Sequence, residues 1–136
     1  MAVPSVSVAI VSWNHRPWLP HCLDALLEQG YPHLDVTVVD NASQDGSPEW
    51  IAGSYADSVR LWPFSENRGF CEAFNWAVDQ THGDFVLSLN PDVVVSEKFV
   101  DEMVRAMMRD ERIGIVAPKL LMAETPAHLD STGLFI

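Results

Sequence analysis

The fold is decided by the stretch Phe85-Val86-Leu87-Ser88-Leu89-Asn90-Pro91-Asp92. Its short apolar beginning predicts a buried, central β-strand. Pro91 has no amide hydrogen and pushes Asn90 into an extended or turn conformation, so the strand must end there. Asp92 is therefore expected just past the carboxyl end of a core strand, which is where open α/β sheets bind their ligands.

The end of this stretch has two interpretations. The oxygens of Asn90 and Asp92 are hard ligands of the kind that Mg²⁺ or Mn²⁺ prefers. The same residue types are also common in turns and helix caps, so the motif alone favours neither interpretation. The polar residues in the other loops bear on which interpretation is correct.

Strands and helices are predicted to alternate along the whole chain. Apolar, β-branched runs indicate strands at 6–11, 36–39, 59–62, 85–89 and 113–117. Helices are predicted from about Trp18, from Pro48 after a Ser47 cap, over 70–81, and after a Ser96 cap. The alternation predicts an α/β fold, with a mostly parallel sheet, right-handed crossovers and flanking helices.

The helices carry apolar residues at helical spacing, which predicts their buried faces. The first helix should bury Leu19, Cys22, Leu23, Leu26 and Leu27, and the third should bury Phe70, Phe74, Ala77 and Val78. Such stripes are typical of helices that pack against a sheet.

Size and charge limit the possible functions. The 136 residues suffice for one compact domain, and a hydrophobic content of 48% supports a sizeable core. The formal net charge of -11 makes nucleic acid an improbable partner, because such a chain repels phosphate backbones. A phosphorylated ligand would therefore need a cation as intermediary.

The cellular compartment is predicted from cysteines and hydropathy. Cys22 and Cys71 lie in helical patterns without metal-ligand spacing, which indicates reduced thiols of a cytoplasmic protein. No segment approaches the roughly 20 apolar residues of a membrane span. Attachment to the inner face of a membrane would need parts outside this chain.

Every predicted strand ends in polar residues. Because parallel strands end at the same edge of a sheet, these residues should converge on one cleft. They are Ser12 and Asn14, Asp40 and Asn41, Asn67 and Arg68, and Asn90 and Asp92.

The loop after the first strand excludes two common phosphate sites. It has neither the glycines of a dinucleotide fingerprint nor a phosphate-binding lysine. A diphosphate could instead be bound through a metal on Asp92. Trp13 could stack on a base or pack in the core. Asp40 could accept a base N–H or close an Asx turn, and Arg68 could pair with phosphate or remain solvated.

Four motifs, in order, resemble family 2 glycosyltransferases of the GT-A fold. They are Val11-Ser12-Trp13-Asn14, the run from Val38 to Ser47, Asn67-Arg68-Gly69-Phe70, and Leu89-Asn90-Pro91-Asp92. The Asn-Pro-Asp motif resembles the rhamnosyltransferase-like branch. The resemblance covers almost the whole chain, which would form one nucleotide-sugar-binding domain over 1–136, equivalent to the N-terminal part of the family.

The resemblance implies roles for these residues. Val11, by its backbone, and Trp13, by its ring, would line the base pocket, and Asp40 would contact the base. Arg68 would bind the nucleotide or its phosphates, and Asp92 would bind Mn²⁺ or Mg²⁺. The other nucleotide-binding positions implied are Asn14, Asn67 and Asn90. Asn90 stands where the family has the first carboxylate of Asp-x-Asp.

The implied reaction is an inverting sugar transfer from a nucleoside diphosphate sugar, such as dTDP-rhamnose, to a glycan or lipid-linked acceptor. The catalytic base is expected beyond Ile136, so the catalytic residue is not assigned, and the chain is expected to be a truncated donor half. Two alternatives remain, a nucleotide-binding module without turnover and a nucleotidyltransferase. The latter usually needs a Gly-rich basic loop.

Overall fold

The first compact unit of the protein is built on a four-stranded parallel sheet. The computed structural model describes residues 2–131, which form two units divided between Glu97 and Lys98. The strands are β1 (Val6–Ser12), β2 (Leu34–Asp40), β3 (Arg60–Pro63) and β4 (Phe85–Ser88), in the spatial order β3-β2-β1-β4. All three pairings are parallel, so the predicted mostly parallel α/β sheet is confirmed.

Three helices connect these strands. They are α1 (Leu19–Leu27), α2 (Ser47–Ser54) and α3 (Gly69–Asp79). The chain steps in one direction from β1 to β3 and then returns past β1 to β4. Right-handed crossovers therefore assign α1 and α2 to one face of the sheet and α3 to the other.

Burial agrees with this assignment. On one face, Ala9, Val11 and Val39 form a core cluster with Ala73 and Ala77 of α3. The alternate strand residues point to the opposite face, because side chains alternate along a strand. They include the fully buried Val8, Ile10 and Val38, and α1 contributes the buried residues Leu19, Cys22, Leu23 and Leu26.

β4 differs from its prediction as a buried, central strand. It lies at an edge of the sheet, ends at Ser88, and is only half-buried, with Val86 43% exposed. The two strands that lie inside the sheet are β2, between β3 and β1, and β1, between β2 and β4. All seven residues of β1 are buried. An apolar run cannot reveal how many neighbours a strand has, which explains the error.

The predicted caps of two helices were wrong. Neither Ser47 nor Ser96 caps a helix through its side chain: α2 begins at Ser47 after Gly46, and the last helix begins at Phe99 after Lys98. The Ser47 hydroxyl instead donates a hydrogen bond to Asp45. Phe70 was also predicted to face inward but is 54% exposed, because Ala73 and Ala77 form the buried stripe of α3.

The second unit contains α4 (Phe99–Met107), β5 (Leu120–Leu121) and β6 (Leu129–Ser131). β5 and β6 pair antiparallel as a separate small sheet. The strand predicted over 113–117 is absent from the described residues, where this segment is irregular. In the described part of the chain, no helix is both long and apolar enough to cross a membrane.

Candidate functional site

Hydrogen bonds join the loop after β1 to the loop after β2 at the carboxyl edge of the sheet. The amide of Asn14 donates to the Ser43 hydroxyl, and the Asn14 side-chain oxygen accepts from the Gln44 amide, both at 2.8 Å. The Arg16 amide donates to the Asp45 carboxylate, also at 2.8 Å. The predicted convergence of these two loops is therefore confirmed, and a backbone φ of 57° at Asn14 turns the first loop toward the second.

Asp40 is completely buried at the end of β2. One carboxylate oxygen, Oδ2, accepts the Ser43 amide at 2.8 Å, which is the Asx turn that the sequence offered as an alternative. The other oxygen, Oδ1, is buried and has no hydrogen-bond partner among the described residues. Both interpretations of Asp40 are thus compatible, because the turn uses only one of its two oxygens.

Ser12 shares this property. It pairs in register with Asp40 across β1 and β2, so the two side chains point to the same face of the sheet. The Ser12 hydroxyl oxygen is buried and, within residues 2–131, accepts or donates no hydrogen bond. Two neighbouring polar atoms without partners are unusual in a protein interior, where each costs about 1–3 kcal/mol. A ligand that carries both a hydrogen-bond donor and an acceptor would satisfy these two atoms.

The loop after β3 is attached through Asn41. The buried Asn41 side chain donates to Asn67 and to the Gly69 carbonyl, and accepts from the Arg68 amide. The sequence placed Asn41 among the polar residues at the strand ends but indicated no binding role for it. Its only signal was an Asn directly after a strand-terminal Asp, followed later in the chain by an Asn-x-Gly turn.

Arg68 is held at its backbone and flanked at its side chain. Its guanidinium carbon lies 4.5 Å from the centroid of the Phe64 ring, a cation–π arrangement. The guanidinium is 3.6 Å from the Glu72 carboxylate, in a pair that is exposed and therefore weak. Arg68 precedes the first residue of α3, where the helix dipole also favours an anion.

Val11 and Trp13 lie at the end of β1. The Val11 side chain packs in the core cluster. β4 pairs with β1 only as far as Ala9, so the Val11 backbone extends beyond that ladder. The Trp13 side chain is not core packing, because Trp13 is 52% exposed, and a ring at this position is available for stacking.

The loop after β4 is joined to α1. The Asn90 carbonyl accepts from the Cys22 thiol at 3.6 Å and from the Val93 amide at 3.2 Å, and Asp92 is exposed. Burial, followed by the negative charge of Asp92, raises the pKa of Cys22 to about 12. The thiol is therefore protonated at neutral pH and unsuited to bind a metal.

The donor set fits a cation shared with a ligand. Among the described residues, no three His, Cys, Asp or Glu side chains are grouped so that they could hold a metal ion. One exposed carboxylate at Asp92, with the amide side chain of Asn90 two residues earlier in the sequence, suits Mg²⁺ or Mn²⁺ that takes its remaining ligands from phosphate oxygens and water. It does not suit a cage made of protein groups alone.

The hydrogen bonds at this edge of the sheet change the pKa of Asp45. Burial opposes its ionisation, but hydrogen bonds from the Ser47 hydroxyl and from the Arg16 and Ser47 amides outweigh burial and lower the pKa of Asp45. These bonds therefore stabilise the fold above the pKa of Asp45 in the unfolded chain. Their contribution is lost as the pH falls through the lower, folded-state value.

We therefore expect Asp45→Asn to reduce the free energy of unfolding at pH 7 by about 0.5 kcal/mol, because the carboxylate is largely exposed and screened. The difference from the native chain should shrink as the pH is lowered from about 5 through the folded-state pKa of Asp45. Urea unfolding at several pH values measures it. In the Ser47→Ala variant, carbon NMR should place the pKa of Asp45 higher than in the native chain. A difference that grows on acidification would contradict the assignment.

The comparisons with known proteins agree with this geometry. Residues 7–120 match the sequence model of glycosyl transferase family 2. The chain belongs to this family. The match contains all four motifs at the strand ends.

One relative and two solved structures illustrate the likeness. The O-antigen biosynthesis protein RfbC of Myxococcus xanthus is 37% identical over 127 residues, which are 89% of this chain and 10% of RfbC. The mannosyltransferase PcManGT of Pyrobaculum calidifontis, solved with GDP-Man and Mn²⁺, is 30% identical with a TM-score of 0.71, covering 77% of this chain and 32% of PcManGT. S. aureus TarS 1-349, solved with UDP-GlcNAc, is 19% identical with a TM-score of 0.71, covering 89% of this chain and 41% of TarS, and shows the fold alone.

These comparisons confirm the GT-A type α/β fold and the family 2 glycosyltransferase assignment. Across eight curated relatives, this chain spans between 10% and 51% of the relative's length. The activity and substrates of the whole enzyme are therefore treated as proposals.

Proposed function

We propose that this chain binds the nucleoside diphosphate sugar of a metal-dependent, inverting glycosyltransferase. The observation that carries the proposal is the unpartnered Oδ1 of buried Asp40, in a network that links the ends of β1, β2 and β3. An acceptor held rigidly at the strand edge suits a base N–H. In the same network, the backbone amide of Arg68 donates a hydrogen bond to Asn41. The guanidinium that Arg68 carries suits a diphosphate.

The proposed roles are those that the family resemblance implies, and the burial and hydrogen bonds at the sheet edge support them. Val11 and Trp13 line the base pocket, and Asp40 accepts from the base. Three further residues, Asn14, Asn67 and Asn90, complete the nucleotide site. Arg68 pairs with the phosphates, and Asp92 holds Mn²⁺ or Mg²⁺, which when bound offsets the negative charge of the leaving diphosphate.

A metal fits the charge of the protein. With 19 acidic and 8 basic residues, the chain repels a diphosphate anion unless a cation intervenes. PcManGT, which is 30% identical to this chain, was solved with GDP-Man and Mn²⁺, and this supports the same combination here.

The finer substrate assignment is also a proposal. The Asn90-Pro91-Asp92 motif resembles the rhamnosyltransferase-like branch, so we propose dTDP-rhamnose as the first donor to be tested, ahead of UDP-sugars. The likeness to an O-antigen biosynthesis protein supports a glycan or lipid-linked acceptor in polysaccharide biosynthesis. We assign no described residue as the catalytic base.

A second candidate function is nucleotide binding without turnover. It is favoured by Asn90, which leaves a single carboxylate, Asp92, at the position where the family has two. Sugar transfer from a bound donor to an acceptor would separate it from the first candidate.

We expect dTDP or UDP to stabilise the protein only when Mn²⁺ or Mg²⁺ is present. At a ligand concentration 100-fold above Kd, the free energy of unfolding should rise by about 2.7 kcal/mol. Asp92→Ala should abolish the metal-dependent part, because it removes the one carboxylate proposed to hold the cation. Thermal shifts measured with Mn²⁺ and with a chelator test this expectation.

Asp79→Ala is the matched control, since Asp79 is an exposed carboxylate at the end of α3. It should keep the full metal-dependent shift. Equal shifts with Mn²⁺ and with chelator, or an undiminished metal-dependent shift in Asp92→Ala, would refute the proposed metal role.

A further inference from the structure

The Asn41 side chain uses three hydrogen bonds to hold one neighbouring loop. Asn41 is 3% exposed and follows the last residue of β2. Its Oδ1 accepts the Arg68 amide at 2.9 Å, and its Nδ2 donates to Asn67 Oδ1 at 3.1 Å and to the Gly69 carbonyl at 3.2 Å. All of its side-chain contacts of this kind thus go to three consecutive residues.

The same residue is attached to β1 through its backbone. The Asn41 amide donates to the Ser12 carbonyl at 2.8 Å. Asn41 is therefore a bridge, with its main chain fixed beside Ser12 and Asp40 and its side chain fixed to the loop after β3. It connects the proposed base contact to the proposed phosphate contact.

The loop that Asn41 holds has a conformation that needs support. Gly69 has a φ of 76°, in the left-handed region that favours glycine. Asn67 Oδ1 accepts the Gly69 amide at 2.8 Å as well as the Asn41 amide group. These bonds fix the backbone at Arg68, so they also fix the direction in which its side chain leaves the loop.

We propose that Asn41 is a positioning residue that acts through Arg68, setting the guanidinium for the diphosphate of the donor. The inference rests on the proposed function, because it takes Arg68 as a phosphate-binding residue. Asn41 itself is proposed to touch neither base nor phosphate. Without it, Arg68 must be ordered when the ligand binds, and the lost side-chain entropy weakens affinity.

This role predicts a selective loss of affinity. Asn41→Ala should weaken binding of UDP and dTDP about tenfold while changing the affinity for uridine and thymidine by less than about twofold. Arg68→Ala should cause a similar or larger selective loss. In the double variant, the two losses should not add, because residues that act through one interaction are coupled.

The experiment is calorimetric titration with Mn²⁺ of the native chain, Asn41→Ala, Arg68→Ala and the double variant, each with nucleoside and nucleoside diphosphate. Asn75→Ala is the control, an exposed asparagine in α3 that should bind like the native chain. Should Asn41→Ala fail to fold, Gly69→Ala replaces it. Apart from its sequence neighbours and its own helix backbone, no described atom lies within 4 Å of the added Cβ. The variant therefore perturbs chiefly the left-handed backbone at Gly69 and should show the same selective loss.

The outcomes separate this inference from the proposed function. Additive losses, or equal losses for nucleoside and diphosphate, would overturn the role of Asn41 while leaving the nucleotide site in place. If the native chain binds neither UDP nor dTDP, the proposed function fails, and the inference fails with it.

Discussion

Ile10→Ala is expected to lower the free energy of unfolding by about 2–5 kcal/mol, the largest stability effect that we predict. Ile10 is fully buried in β1, the strand that lies between β2 and β4. The substitution removes three carbon atoms from the core on one face of the sheet and leaves a cavity, because the backbone of β1 is held in place by its parallel ladder with β2.

Ile115→Ala provides a control of identical chemistry. Ile115 is 88% exposed, so its truncation should change stability by less than about 0.5 kcal/mol. Urea unfolding of both variants, followed by circular dichroism, compares the two values directly. Similar small losses in both would mean that β1 is not the buried centre of the sheet.

The α/β architecture could be predicted because its signals are local. β-branched runs, helix stripes and Pro or Gly at their ends fix which segments form strands and helices. Spatial order is not local in this way. The run at 85–89 has the composition of a buried strand, yet β4 is half-exposed at the edge of the sheet, because pairing depends on neighbours distant in the sequence.

The segment 113–117 also shows that composition alone does not determine strand pairing. Its β-branched composition predicts a strand, but a strand requires a hydrogen-bonded neighbour, and the segment is irregular in the described chain. Pairing instead occurs between Leu120–Leu121 and Leu129–Ser131.

The sequence predicted which loops meet at the carboxyl edge of the sheet, but it did not predict which side chains join them by hydrogen bonds. Parallel strands end at one edge, so the meeting of the first loops followed from topology alone. The hydrogen bonds of Asn41 could not be predicted in this way, because they depend on how close its side-chain amide lies to Asn67 and to the Arg68 backbone. Polar residues that connect loops resemble ordinary turn residues in a sequence.

Asp40→Ala is expected to weaken the binding of uridine or thymidine by about 10- to 100-fold, the largest binding effect that we predict. Asp40 Oδ2 is used by the Ser43 amide, whereas the buried Oδ1 has no partner among the described residues. A base N–H that occupies this position gains an acceptor that water does not already solvate. Binding of inorganic pyrophosphate with Mn²⁺ should change by less than about twofold, because Asp40 is proposed to contact only the base. Calorimetric titration measures both affinities.

Thr37→Val is the matched control for this prediction. Thr37 lies in the same strand, three residues before Asp40, and its buried hydroxyl oxygen also has no partner in the described part of the chain. Replacing this hydroxyl with a methyl group should raise the free energy of unfolding by about 1 kcal/mol and leave nucleoside affinity unchanged, since Thr37 is away from the strand end. If both variants bound uridine equally well, the unpartnered oxygen of Asp40 would be a feature of the strand interior and not a site for the base.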